Sequence, residues 1–154
     1  TFTTPTYTVA LRDDSWYESK GYTVVNGDVN ESTIPADRKL LVNNYTSNGG
    51  QTSVSGITTI ISKGNITITR KSEITGVLIA PNGTINVDVN YGKIATFTGV
   101  IIAKEVNFTG GGTKMISKKL TDYYSQENAP LIIGGGSGGS PGGAIVDLTP
   151  IKEN

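Results

Sequence analysis

Gly76-Val77-Leu78-Ile79-Ala80-Pro81-Asn82-Gly83-Thr84-Ile85-Asn86-Val87 and, 23 residues further on, Gly99-Val100-Ile101-Ile102-Ala103-Lys104-Glu105-Val106-Asn107-Phe108 share one plan. Each opens with a short apolar run, turns at a polar corner and continues as a strand of alternating apolar and polar residues. Ile60-Ile61-Ser62-Lys63-Gly64-Asn65-Ile66-Thr67-Ile68-Thr69 follows the same plan, and Ile61 stands 18 residues before Ile79. Repetition at roughly 20 residues marks a solenoid. The period is too short for paired helices, and the fixed leucines and asparagine of a leucine-rich repeat are missing. Short strands joined by polar corners remain, stacked so that each strand pairs with its equivalent one coil on. The reading is a mainly β fold, a short parallel β-helix of about three coils across residues 54–116, with capping strands and a short helix.

Strand alternation assigns the faces. Ile66 and Ile68, Ile85 and Val87, and Val106 and Phe108 point inward and form columns, while Thr67, Asn86 and Asn107 point outward. The runs Val77–Ala80 and Val100–Ala103 do not alternate, which predicts burial on both faces. The cover is expected from the N-terminal strands or from the segment after residue 113.

The flanks are read from the same cues. Tyr7 to Leu11, Tyr22 to Val25 and Arg38 to Tyr45 read as strands. Asp14 or Ser15 caps a short helix that runs to Lys20 and ends at Gly21. Lys114–Glu127 is expected to contain an amphipathic helix through Met115, Ile116, Leu120 and Tyr123 or Tyr124, capped by Ser117. Residues 134–143 hold seven glycines and read as a flexible loop, and Ala144 to Leu148 as a returning strand that covers an edge. The parts are 1–53 (capping strands), 54–133 (coil stack with helix) and 134–154 (loop and strand), all one domain.

Composition bounds the chemistry. The 154 residues suit one domain, with Thr, Asn, Ser and Gly filling strands and tight turns. The formal net charge is zero, which argues against nucleic acid as a partner, because phosphate binding draws on a basic excess. No apolar run approaches the ~20 residues needed to span a bilayer. With Thr1 as its first residue the chain reads as a mature or truncated form, so any membrane attachment is expected through a missing N-terminal anchor. Cysteine and histidine are absent, which removes disulfides, Ser-His-Asp and Cys-His catalysis, and the commonest zinc and copper sites. No cofactor and no metal are expected.

Thr75-Gly76-Val77-Leu78-Ile79-Ala80-Pro81-Asn82-Gly83 and Thr98-Gly99-Val100-Ile101-Ile102-Ala103-Lys104-Glu105-Val106-Asn107-Phe108-Thr109-Gly110-Gly111-Gly112 carry a resemblance. They resemble the PilX-like minor pilins and related anchor-type β-helix domains of bacterial surface and type IV pilus proteins. The shared feature is an apolar-Ala-Pro-Asn corner followed one coil later by a Gly-apolar-apolar-Ala-Lys passage. The resemblance covers about a third of the chain, and the hydrophobic pilin helix is not part of it. It implies a non-catalytic extracellular or cell-surface domain of a bacterial appendage. Its implied partners are other pilus or surface proteins, or host and surface ligands. Bactofilin-like polymers have similar coils but more regular repeats.

Candidate chemistry is sparse. An enzyme acting on polysaccharides without histidine would draw on Arg70, Asp88, Lys93, Lys104 and Glu105, with Asp88 and Glu105 close to one coil apart. Solvated corner charges explain these residues more simply. Asp28-Val29-Asn30-Glu31-Ser32 is oxygen-rich but lacks the Gly and bidentate Glu of a calcium loop, so a surface turn is favoured. Gly110-Gly111-Gly112 and the 134–143 tract precede no P-loop Lys-Ser/Thr and helix, so a turn or loop is favoured over a phosphate cradle. Five Asn-X-Ser/Thr triplets, at Asn30, Asn44, Asn65, Asn82 and Asn107, read as composition. Trp16, Tyr17, Tyr22 and Tyr45 are the candidate partner-binding residues, as an aromatic sugar- or protein-binding face; the simpler reading is that they cap the stack.

Overall fold

The structure, a computed structural model, describes residues 7–32, 34–35, 37–48, 56–69, 73–89, 95–110 and 113–135. In chain order it runs β1 (Tyr7–Ala10), α1 (Asp14–Ser19), β2 (Thr23–Val24), β3 (Asp28–Glu31), β4 (Lys39–Val42), β5 (Asn44–Ser47), β6 (Thr58–Ser62) and β7 (Ile66–Thr69). Then follow β8 (Glu73–Val89), β9 (Ala95–Gly110), β10 (Thr113–Ser117) and β11 (Ile132–Gly135), with two single 3-10 turns between the last two.

All strands from β2 to β10 pair in parallel, and the ladder is a solenoid of about four turns. One wall stacks β2, β4, β6, the first half of β8 and the first half of β9: Val24 lies beside Leu41, then Ile61, Ile79 and Ile102. A second wall stacks β3, β5, β7 and the second halves of β8 and β9, with Val29, Tyr45, Ile66, Ile85 and Val106 in one column. A third, shorter wall begins where Ile74, Phe97 and Met115 stack. The three passages of the repeat are thus successive rungs, and the equivalences Gly76–Gly99, Ala80–Ala103 and Ile61–Ile79 are strand partners.

Two upstream rungs, β2–β3 and β4–β5, extend the stack beyond the expected start at residue 54. Strands expected to cap the solenoid are part of it. The Lys114–Glu127 helix does not form. Thr113–Ser117 is a strand, because Met115 continues the Ile74–Phe97 column, and 3-10 turns at Leu120–Asp122 and Gln126–Asn128 follow. As neighbours, Met115 and Ile116 take opposite strand faces, Met115 toward the inner core and Ile116 exposed, and the open edge of β9 offers a hydrogen-bonded partner. Residues 136–143 of the Gly-rich tract and the strand expected at 144–148 lie outside the described residues; Gly134 and Gly135 belong to β11.

The inside of the solenoid is one apolar column set: Leu40, Ile60, Leu78 and Ile101 from the first wall, Ile66, Ile68, Ile85 and Val87 from the second, Ile74 and Phe97 from the third. The outer side of the first wall is buried as well. Leu41, Ile61, Val77, Ile79, Val100 and Ile102 lie under a coat made of α1, Tyr22, Leu120, Ala129 and Leu131. The non-alternating runs are covered from both flanks, as their composition requires. β1 and β11 join the two halves of the coat as an antiparallel pair.

Glycine sets how closely the rungs approach at one edge of the first wall. Gly99 has φ 147, and a Cβ there would stand 1.8 Å from the Gly76 carbonyl oxygen. A Cβ on Gly76 would stand 1.9 Å from the carbonyl oxygen of Thr58. No side chain fits into this column without moving backbone.

Candidate functional site

Two surfaces carry organised polar chemistry. The first is the outer side of the second wall. Asn30, Thr46, Thr67, Asn86 and Asn107 form a central outward column, and Thr69, Asp88 and Thr109 run beside it. Side chains are tied across rungs: Asn107 Nδ2 donates to Asn86 Oδ1 at 3.0 Å, Thr109 Oγ1 to Asp88 Oδ1 at 3.0 Å, and Asn44 Nδ2 to Asp28 Oδ1 at 3.0 Å. At the corner a chain of amides fixes successive rungs. The Asn65 N–H donates to Asn44 Oδ1, and the Thr84 N–H donates to Asn65 Oδ1, both at 2.8 Å. The Asn-X-Thr triplets follow from this geometry, because positions i and i+2 of a strand face the same side.

This wall does not gather a carboxylate pair. Glu105 is the partner of Thr84 and Asp88 that of Thr109, four residues along the strand. At about 3.3 Å per residue they are about 13 Å apart, wider than the roughly 6.5–9.5 Å of paired glycosidic carboxylates. Lys104 is an exposed corner residue, and Arg70 and Lys93 lie outside the described residues. The Asp28–Ser32 segment is mostly strand β3 and not a turn. Glu31 accepts from Arg38 Nη2 at 2.6 Å and from Tyr45 Oη at 2.8 Å. It closes the first rungs as a polar plug. Among the described residues no three Asp or Glu side chains cluster as metal ligands.

The four aromatic candidates separate. Tyr45 lies inside the solenoid, 1% exposed, and burial followed by the neighbouring Glu31 carboxylate holds its hydroxyl above the usual tyrosine range. Trp16, Tyr17 and Tyr22 stay together in the coat, with Tyr17 edge-on to both Trp16 at 5.1 Å and Tyr22 at 5.2 Å. Tyr17 is fully buried. Its Oη donates to the Pro130 carbonyl at 2.5 Å and accepts from the Arg12 N–H at 3.1 Å, and burial raises its pKa to about 12. It is a pin between α1 and the segment after the second 3-10 turn. Trp16 is half-buried, with the Arg12 guanidinium 4.4 Å over its ring.

The second surface is a cleft of about 360 Å³ at the rim of this coat, within the range of small-ligand sites. Lys20 follows α1, Tyr22 precedes β2 and Lys39 opens β4; these meet Tyr123 and Tyr124 from behind the first 3-10 turn. Ser125 and Asn128 complete the lining. Lys20 Nζ donates to Asn128 Oδ1 at 2.9 Å, and Asn128 Nδ2 donates to Ser125 Oγ at 3.0 Å. Lys39 Nζ stands 5.6 Å from the Tyr22 ring centroid. The Tyr124 hydroxyl is hydrogen-bonded to Thr59 Oγ1. Tyr22 is 6% exposed, and its buried Oη lies beside the Tyr124 hydroxyl. Burial first, and the Tyr124 hydroxyl second, keep it protonated well above the usual range.

Of these lining residues only Tyr22 was legible in the sequence as a candidate. Lys20 and Lys39 carry no local signal, because the cleft is assembled across a large sequence distance.

Comparison of the chain with family models, with curated proteins and with solved structures returns no match, so functional assignment rests on the residues themselves.

Proposed function

We propose that the chain is a non-catalytic structural domain of a bacterial cell-surface assembly, akin to a minor pilin component, that works by contact through the outer side of its second wall. The observation that carries this reading is the outward polar column Asn30–Thr46–Thr67–Asn86–Asn107 with its neighbour Thr69–Asp88–Thr109, bonded side chain to side chain at Asn86–Asn107 and Asp88–Thr109. Side chains already held by such bonds lose little rotamer freedom when a partner docks. Asp28, Asp88 and Glu105 supply its charge, which favours a partner protein with a basic, hydrogen-bonding surface. The resemblance of the Ala80-Pro81-Asn82 and Ala103-Lys104 passages to minor pilins supports the same class.

The test follows the native full-length product in its own cells. Surface labelling with an antibody to this domain should detect it on intact cells, in a fraction that carries appendage proteins. A paired substitution on the grid, Thr67→Lys with Asn86→Lys, should leave the domain folded and surface-exposed but lower its co-purification with the appendage by at least about tenfold, because it replaces neutral hydrogen-bonding groups with cations facing a basic partner. Retention of the product inside the cell, or unchanged co-purification of the doubly substituted protein, overturns the reading.

A further inference from the structure

The cleft at the rim of the coat is a different face from the polar grid and makes a separate demand. Its lining is rich in donors and, among the described residues, contains no carboxylate. Lys20 and Lys39 bring two cationic heads to one mouth. Only one bond of the Lys20 ammonium is taken up within the site, by Asn128, so its other N–H groups are open to a ligand. Behind them the Tyr22 hydroxyl is closed off from solvent beside the Tyr124 hydroxyl, so Tyr22 serves the cleft as part of its aromatic wall.

The walls narrow the chemistry further. Tyr22, Tyr123 and Tyr124 offer aromatic surface with polar tips, and Ser125 and Asn128 offer a hydroxyl and an amide. Aromatic faces with hydroxyl and amide partners suit a ring carrying many hydroxyl groups. The paired lysines suit a carboxylate on that ring. We propose that this cleft is a binding site for an acidic sugar, a single carboxylate-bearing saccharide unit of a longer glycan, with Lys20 and Lys39 on the carboxylate.

Trp16 supplies the readout. It is the only tryptophan of the chain, and its ring lies 6.4 Å from that of Tyr22. Titration of the full chain, followed by Trp16 fluorescence and calorimetry, should show saturable binding of sialyllactose or of tri-galacturonate. Lactose and maltotriose, the neutral counterparts, should bind at least about tenfold more weakly. Lys20→Gln with Lys39→Gln, both at exposed positions, should cost about tenfold or more in affinity at unchanged melting temperature. Failure of both acidic saccharides to bind at millimolar concentration overturns the proposal, as does equal binding of acidic and neutral sugars. Inorganic phosphate competing as strongly as the saccharide would overturn the sugar assignment. Binding that ignores the lysine pair would place the ligand elsewhere.

Discussion

Each rung of the solenoid contributes to two long walls, and the two walls treat the same strand pairing differently. In the first wall, β6 is buried at every position from Thr58 to Ser62. In the second, β7 alternates, with Ile66 and Ile68 inside and Thr67 and Thr69 partly exposed. Backbone hydrogen bonding is equivalent in both, so the ladder does not account for the contrast. It arises from the coat, which turns the outer side of the first wall into a second core and leaves the second wall wet. A strand's hydrophobic period therefore reports what lies over it, not only how it pairs.

The contrast makes ordered predictions. The largest effect is expected where the first wall is tightest. Gly76→Val drives a side chain into the Thr58 carbonyl and should cost more than about 3 kcal/mol in urea unfolding. A wild-type midpoint would show that the column tolerates a side chain. Next comes a pair on one rung. Ile61→Ala empties the space under the coat and should cost about 3 kcal/mol, whereas Thr67→Ala on the wet side should stay within about 0.5 kcal/mol. Equal costs would erase the distinction between the walls.

Alkaline pH tests the coat and the inner column together. An unfolded tyrosine loses its proton near pH 10, whereas Tyr17 holds its proton to about 12 when folded. Between these values the unfolded state binds fewer protons, so stability falls as pH rises from 10 to 12 and is untouched below 10. The Tyr17 share is about 2 kcal/mol by pH 12, and Tyr22 and Tyr45 act in the same direction. Tyrosinate absorbance should show these residues ionising only as the protein unfolds. A smaller effect is expected for the pin of the coat. Tyr17→Phe loses the bond to the Pro130 carbonyl and should cost about 1 kcal/mol in urea unfolding.

The repeating rungs were legible because β6–β7, β8 and β9 carry the same apolar and polar positions, and the unalternating Val77–Ala80 run announced a cover. The two upstream rungs were less legible because their inner column departs from the rule. Glu31 and Ser47 occupy places that Ile68 and Val87 fill further on, and Tyr45 stands where Ile66 and Ile85 do. At the end of a stack the inner column meets a plug and no longer a further apolar layer. Met115 and Ile116 misled because their spacing to Leu120 and Tyr123 or Tyr124 fits a helical period, whereas pairing with β9 makes the segment a strand. The cleft was hidden for a different reason: Lys20, Lys39 and Asn128 look like ordinary surface residues until the coat brings them together.

The β1–β11 pair sets a folding order. Successive rungs close loops of about 20 residues, whereas Ala10 and Ile132 are separated by 122. In an unfolded chain, closing the longer loop costs about 1.6 kcal/mol more in entropy. The seam therefore becomes affordable only after stacked rungs have shortened the effective loop. Its ladder should be the last to gain protection during refolding and the first to exchange its amide protons in the native state.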